Sequence, residues 1–406
     1  MSYRFVLLLL FMYLPLQGVP IQENGRIRPF NGPIEFLNEI DAQEIEDTYL
    51  MLPSKRDPKR WISLHTLGVK NQDVRIGNFT AYPDSIFLVL QESYLAQDEQ
   101  ALKNALDQGY ATLKGPFPTQ FQLQLEAFYT RAPLIWILIA LYLFALIPKV
   151  QIPFFLLAFV LHTSLIALRC YILERAPVTN MYETVLYVPW VTSLASLILF
   201  KLNRSKWLLT AGSLVSIFLF LCIKIGGLED TLDNLQPVLN SQFWLVIHVL
   251  MVVGSYGLFA LSSLLSHVYV INKRPSPDLI ATTFYLATAS LIGGTLLGGV
   301  WASQSWGRFW DWDPKESWAF ISSSIALITI HAYRFRHIGS YGFAIGSILT
   351  FCFISFTWYG VNFILGTGLH SYGFGGSGSI YYLLFLLFEG AYISFVILKG
   401  YNSRTI

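Results

Sequence analysis

The sequence predicts an all-α polytopic membrane protein, with about nine transmembrane helices preceded by an N-terminal signal or anchor and a small extracytoplasmic domain. Three observations predict it. Hydrophobic residues fill 54% of the 406 positions and charged residues only 13%. From Pro133 onward, apolar runs follow one another, most of them long enough to cross a hydrocarbon core of about 30 Å, which takes ~20 helical residues. The cations between those runs fall on alternate loops, as the positive-inside rule requires.

Taken in order, Arg4 precedes a short apolar run, Phe5 to Leu16, which reads as a signal peptide or anchor over residues 1–18. Residues 19–130 are polar and mixed and hold most of the acidic residues. Ser85 to Leu113 within them reads as helical, in either a small soluble domain or a stalk. Residues 131–406 form the transmembrane domain, with spans near Pro133–Ile147, Ile152–Ile172, Thr184–Phe200, Trp207–Ile225, Phe243–Ile271, Ile280–Val300, Ser317–Arg334, Gly342–Leu365 and Ile380–Leu398. One set of loops carries Lys149, then Lys201, Arg204 and Lys206, then Lys273 and Arg274, then Arg334 and Arg336. The other set carries Glu229, Asp230, Asp233, Asp311, Asp313 and Glu316, and is assigned to the outer face.

The net charge of +2 comes with no basic patch, which argues against a nucleic-acid partner. The three cysteines, Cys170, Cys222 and Cys352, are far apart and form no C-x-x-C, which disfavours thiol–disulfide chemistry and a zinc site. The absence of C-x-x-C-H means that the chain does not attach haem c to itself.

The chemistry concentrates in residues 301–318. Trp301, Trp306, Trp310, Trp312 and Trp318 are interleaved with Arg308, Asp311, Asp313, Lys315 and Glu316. Asp313-Pro314-Lys315-Glu316 matches a capping box with proline at the first helical position, so a helix starts there. An aromatic belt plus a helix cap explains one or two of these tryptophans. Five indoles around Arg308 and Asp311 fit a platform for a flat, apolar, anionic ligand, with Arg308, Lys315 or the helix N-terminus meeting its carboxylates. A porphyrin with two propionates is such a ligand.

Porphyrin iron takes imidazole ligands. His248 falls about 8 Å below the outer start of its span, at ~1.5 Å per residue, and His370 lies in the glycine-rich outer loop near residues 366–378. His331 falls about 22 Å past the cap, near the inner leaflet. His162, mid-membrane, is read as hydrogen-bonded to a neighbouring helix. His65, His267 and His337 are read as structural.

Trp306-Gly-Arg-Phe-Trp310-Asp-Trp312-Asp313-Pro-Lys-Glu316-Ser-Trp318 resembles the tryptophan-rich WWD signature of haem-handling proteins, and within them the CcsA/ResC family of cytochrome c-type biogenesis, the integral-membrane part of the System II synthetase. Arg175-Ala-Pro-Val-Thr-Asn180-Met-Tyr-Glu183, Trp244-Leu-Val-Ile-His248 and Gly368-Leu-His370 fit the same family. The Gly25-Arg26-Ile27-Arg28-Pro29 segment resembles one in fused CcsB–CcsA proteins, so the chain looks like the C-terminal part of such a fusion. Ser317 stands where many relatives have threonine, a mild change.

The resemblance implies haem transport, with haem b as the transported substrate, and haem lyase activity shared with a CcsB/ResB-type membrane subunit. It implies apocytochrome c as the second partner, joined to haem by thioethers at its C-x-x-C-H motif. It implies iron ligation by His248, His370 and His331, haem binding by Trp301 and Arg308, and a reaction site formed by Trp306, Trp310, Trp312, Asp313 and Glu316. The expected location is the bacterial cytoplasmic membrane, in contact with its lipid, with the motif and the N-terminal domain on the periplasmic side. Two other readings stay open: a WWD protein that delivers haem to a haem chaperone, and a non-haem transporter.

Overall fold

The computed structural model describes residues 19–23, 26–30, 49–56, 60–68, 80–113, 117–226, 228, 232, 242–365 and 379–402. Residues 1–18, most of the acidic loop over 226–240 and the glycine-rich loop with His370 lie outside them. The chain divides into two compact units, residues 1–133 with 232–234 and the remainder.

In the first unit β1 (Val19–Glu23) pairs antiparallel with β2 (Arg26–Phe30), and β3 (Leu50–Pro53) with β4 (Trp61–Ser63). The helical reading of Ser85 to Leu113 resolves into α1 (Asp84–Leu95) and α2 (Glu99–Ala111), separated at Gln97, whose φ is +56°. The Asp98 side chain accepts from the Ala101 N–H and starts α2. Met51, Leu52, Leu64, Leu90, Leu102 and Leu106 bury together, so this unit has its own core. Arg26 on β2 donates twice to Glu126 on α3 (Gln120–Arg131), at 2.9 and 2.6 Å.

Among its described residues the regular structure of the second unit is all helical. It comprises α4 (Leu134–Phe144), α5 (Gln151–Leu173), α6 (Met181–Asn203), α7 (Lys206–Ile225), α8 (Leu250–Asn272), α9 (Pro277–Trp306), α10 (Pro314–Arg334), α11 (Ser340–Ser355) and α12 (Ser379–Asn402). Each of the nine expected spans overlaps one of these helices. Seven described helices, or up to eight, are long and apolar enough to cross a membrane. α4 is too short by itself. α10 is too polar, because it opens on Lys315 and Glu316 and carries Ser322 to Ser324, His331 and Arg334. The chain is thus a multi-pass helical membrane protein, with its few short strands confined to the first unit.

α8 is the central helix, packed on α6, α7, α9 and α11. Small residues allow it. Gly257 has so little room that an added Cβ would meet the Val188 carbonyl oxygen at 2.7 Å and the Thr192 hydroxyl at 2.9 Å. A buried polar chain ties α4 to α7: the Tyr142 hydroxyl meets His162 Nδ1 at 3.4 Å and Ser193 at 2.9 Å, and Ser193 meets Ser216 at 3.2 Å. His162 Nε2 bonds the Leu186 carbonyl at 3.0 Å. Both of its ring nitrogens are thereby engaged, which agrees with the helix-to-helix reading of this residue.

Two helices are flanked by wider turns. A π-helical segment, Leu245–Val249, precedes α8, and another, Phe356–Leu365, follows α11. Such segments are rare and concentrate at functional sites.

Candidate functional site

A cavity of about 180 Å³ lies where the N-terminal ends of α6, α8 and α10 meet the C-terminal ends of α9 and α11. Such a meeting follows from successive helices running antiparallel. Both π-helical segments line it, the first with His248 and the second with Trp358 and Asn362.

His248 is held from α9. Its Nδ1 lies 2.7 Å from the Gly294 carbonyl oxygen, which can only accept, so Nδ1 carries the proton. In the neutral ring the lone pair is then on Nε2, the form a metal-ligating imidazole takes. Gly298 makes room for the ring, since a Cβ there would sit 2.4 Å from His248 Cε1. The neighbouring Gly299 likewise makes room for the Phe309 ring, at 2.5 Å. The Trp301 ring lies nearly parallel to the imidazole, at 6.2 Å and 19°.

The tryptophan strip is a helix, a turn and a helix. Trp301 to Trp306 complete α9, which runs past the end expected near Val300 because nothing before Gly307 breaks it. Gly307 stops it with a φ of +72°, a conformation glycine adopts without a Cβ clash. Trp301 is 7% exposed and packs edge-on to Trp306 at 4.9 Å. Trp310 lines the cavity and keeps its buried Nε1 without a hydrogen-bond partner. Trp312 is 65% exposed and has a φ of +59°, a costly conformation for a bulky residue.

Asp313 caps α10 by accepting from the Glu316 N–H at 2.8 Å, with Pro314 at the first helical position. Glu316 reaches back to the Asp311 N–H, which donates to its Oε2 at 2.7 Å. The motif thus closes the turn from Asp311 as well as starting the helix. Glu316 also lines the cavity.

Other expected site residues fall elsewhere. Arg308 is exposed and pairs with Asp311 at 2.5 Å. His331 is exposed on α10, fifteen residues beyond Glu316, with Nδ1 bonded to the Leu327 carbonyl at 2.7 Å. It does not line the cavity. His370 lies outside the described residues.

Three features escaped the sequence reading. Trp358 links α6 to α10, its Nε1 donating to Thr184 at 3.1 Å and its carbonyl accepting from Lys315 at 3.3 Å. Asn362 accepts from Lys315 as well, at 3.2 Å. Gly294 and Gly298 form the seat of His248, and the glycine pairs they belong to, Gly293-Gly294 and Gly298-Gly299, are visible in the sequence as a five-residue repeat.

The segment Arg175 to Glu183 is fixed by its last residue. The fully buried Glu183 carboxylate accepts from Arg169 Nε and Arg175 at 3.1 Å each, and from the Thr179 N–H and hydroxyl at 2.7 and 2.6 Å. Asn180 caps α6 through the Glu183 N–H. This clasp sets Val178 to Thr184 along one wall of the cavity.

Residues 178–370 match the Cytochrome C assembly protein family, an interval that begins on that wall. The chain is 32% identical over 260 residues to the cytochrome c biogenesis protein CcsA of Amborella trichopoda, covering 52% of this chain and 82% of that relative. It is 28% identical over 271 residues to the CcsA of Arabidopsis thaliana, with the same coverage. It is 36% identical over 247 residues to Protein NrfI of Wolinella succinogenes, covering 56% of this chain but only 27% of that relative, so it spans about a quarter of NrfI. With most of a CcsA protein matched at this level, and with the matched interval holding both the cavity and the tryptophan strip, the chain belongs to the CcsA family of cytochrome c biogenesis proteins.

Proposed function

We propose that the chain carries haem b, as a transported substrate, to the outer membrane face and holds it at this cavity for thioether attachment to the C-x-x-C-H motif of an apocytochrome c. The observation that carries the reading is the fixed imidazole of His248. Its tautomer is set by Gly294, its ring is seated by Gly298, and it stands at a cavity that Trp310 of the strip also lines. His370 is the second axial ligand in this reading. Trp301 and Trp306 back His248, and Trp310 and Trp312 form the edge that the peptide approaches. Asp313 and Glu316 act by holding the turn that presents those indoles. Arg308 serves at the rim.

Attachment adds a thiol across a vinyl group. A C–S bond forms at one vinyl carbon and the thiol proton ends on the other, so no protein nucleophile is needed. The chain supplies position, which alone is worth several orders of magnitude in rate. A CcsB/ResB-type subunit shares the lyase activity. His331, exposed on α10, is the intramembrane ligand on the haem's path, with its counterpart on that subunit. The chain is then the CcsA portion of a fused or paired synthetase in the bacterial cytoplasmic membrane, with the strip and the first unit on the periplasmic side.

The test is the absorption spectrum of the purified chain. Wild type carries six-coordinate low-spin haem, and His248→Ala loses or alters it, with added imidazole restoring the signal. A colourless preparation, made with the partner subunit present and haem abundant, would sink the reading.

A further inference from the structure

We infer that Lys315 and Trp310 form a carboxylate-binding subsite in this cavity, and that it fixes the in-plane orientation of the substrate by gripping one propionate. The inference rests on the haem reading above and specifies how that substrate is recognised.

Two cations of the strip are candidates to meet an anionic ligand, and the structure separates them. Arg308 is exposed, outside the cavity lining, and already salt-bridged to Asp311 at 2.5 Å. Lys315 is part-buried and lines the cavity. Its ammonium carries three N–H donors. Two contacts are made, to the Trp358 carbonyl at 3.3 Å and to Asn362 Oδ1 at 3.2 Å, both long and both to neutral acceptors. Among the described residues Lys315 forms no ion pair. The one carboxylate beside it in the lining, Glu316, is turned to the Asp311 N–H at 2.7 Å. The Asp313 carboxylate acts on this charge from beyond salt-bridge distance while it caps α10, and a sheltered ammonium held only by neutral acceptors is an arrangement that suits an incoming anion.

Trp310 makes the second half. It lines the same cavity, and its Nε1 is buried without an acceptor. An indole can only donate, so an acceptor has to come from the ligand. An ammonium and an indole N–H together suit one carboxylate oxygen pair, with the indole body against an apolar ring. Asn362 and Trp358 act as positioning residues. They hold Nζ from the π-helical segment Phe356–Leu365.

The experiment compares two probes, haem and haem dimethyl ester, titrated into the full chain in lipid nanodiscs. Wild type binds free-acid haem about tenfold more tightly than the ester, as one charge-assisted contact provides. Lys315→Met and Lys315→Gln bring that ratio close to one, with ester affinity kept within about twofold, and Lys315→Arg retains part of it. Trp310→Phe lowers the ratio by a smaller factor, about threefold, because it removes only the neutral donor. An unchanged ratio in Lys315→Met or Lys315→Gln overturns the inference, and so does a wild-type ratio of one. Wild type that binds neither probe overturns the haem reading itself.

Discussion

The proton on His248 Nδ1 is committed to the Gly294 carbonyl oxygen 2.7 Å away, and Gly298, one helical turn further along α9, leaves the space that the ring fills. The orientation of the imidazole therefore belongs to α9 as much as to the helix that carries it. Gly298→Ala is expected to abolish the low-spin haem spectrum as fully as His248→Ala, because the new Cβ would stand 2.4 Å from Cε1. Gly293→Ala is the matched control. Its Cβ meets only the end of the flexible Met251 side chain, at 3.2 Å, and haem content stays within about twofold of wild type. Equal haem loss in both variants would remove the seat argument.

Trp301 and Trp312 separate stability from function within one motif. Trp301→Ala empties a site that is 7% exposed and costs about 3–5 kcal/mol, seen as a lower thermal midpoint. Trp312→Ala, at 65% exposure, costs under ~1 kcal/mol, yet is expected to abolish thioether formation in a reconstituted attachment assay. An attachment rate unaffected by Trp312→Ala would remove this residue from the reaction site.

The Glu183 clasp is a stability element with a measurable signature. Glu183→Ala leaves Arg169, fully buried, facing no countercharge at that position, and is expected to cost about 3–5 kcal/mol. Monodispersity on size-exclusion chromatography and the thermal midpoint report it. A midpoint within a degree or two of wild type would show that the segment does not depend on this carboxylate.

His331 and His162 are expected to differ in kind. His331→Ala leaves the thermal midpoint unchanged, because its side chain is exposed, and lowers total haem only when the partner subunit is co-expressed. His162→Leu lowers the midpoint through loss of the Leu186 and Tyr142 bonds, by about 1–3 kcal/mol, and leaves the haem spectrum as it was. A haem loss in His162→Leu with unchanged stability would reverse the two assignments.

Most of the described helices of the second unit were legible because an apolar run of spanning length has few other solutions in a bilayer. Proline and aspartate announced the start of α10, and His248, just before α8, was visible as an ionisable group in an apolar run. The short strands of the first unit were not, since Val19-Pro-Ile-Gln-Glu alternates too briefly to be told from a loop. The division between Arg308 and Lys315 could not be read either. Their charges are alike, and only the Asp311 partner and the cavity wall distinguish them. Trp358 and Asn362 gave no signal, because they reach the cavity by a turn whose extra residue has no compositional mark.

That extra residue has a consequence for how the site is counted. The π-helical segment ends at Val249, and the successive residues His248 and Val249 both line the cavity, followed by Val252 and Val253 of α8. Only Val249 separates His248 from α8, so deleting that one residue would swing the imidazole by about 100° relative to the helix that follows.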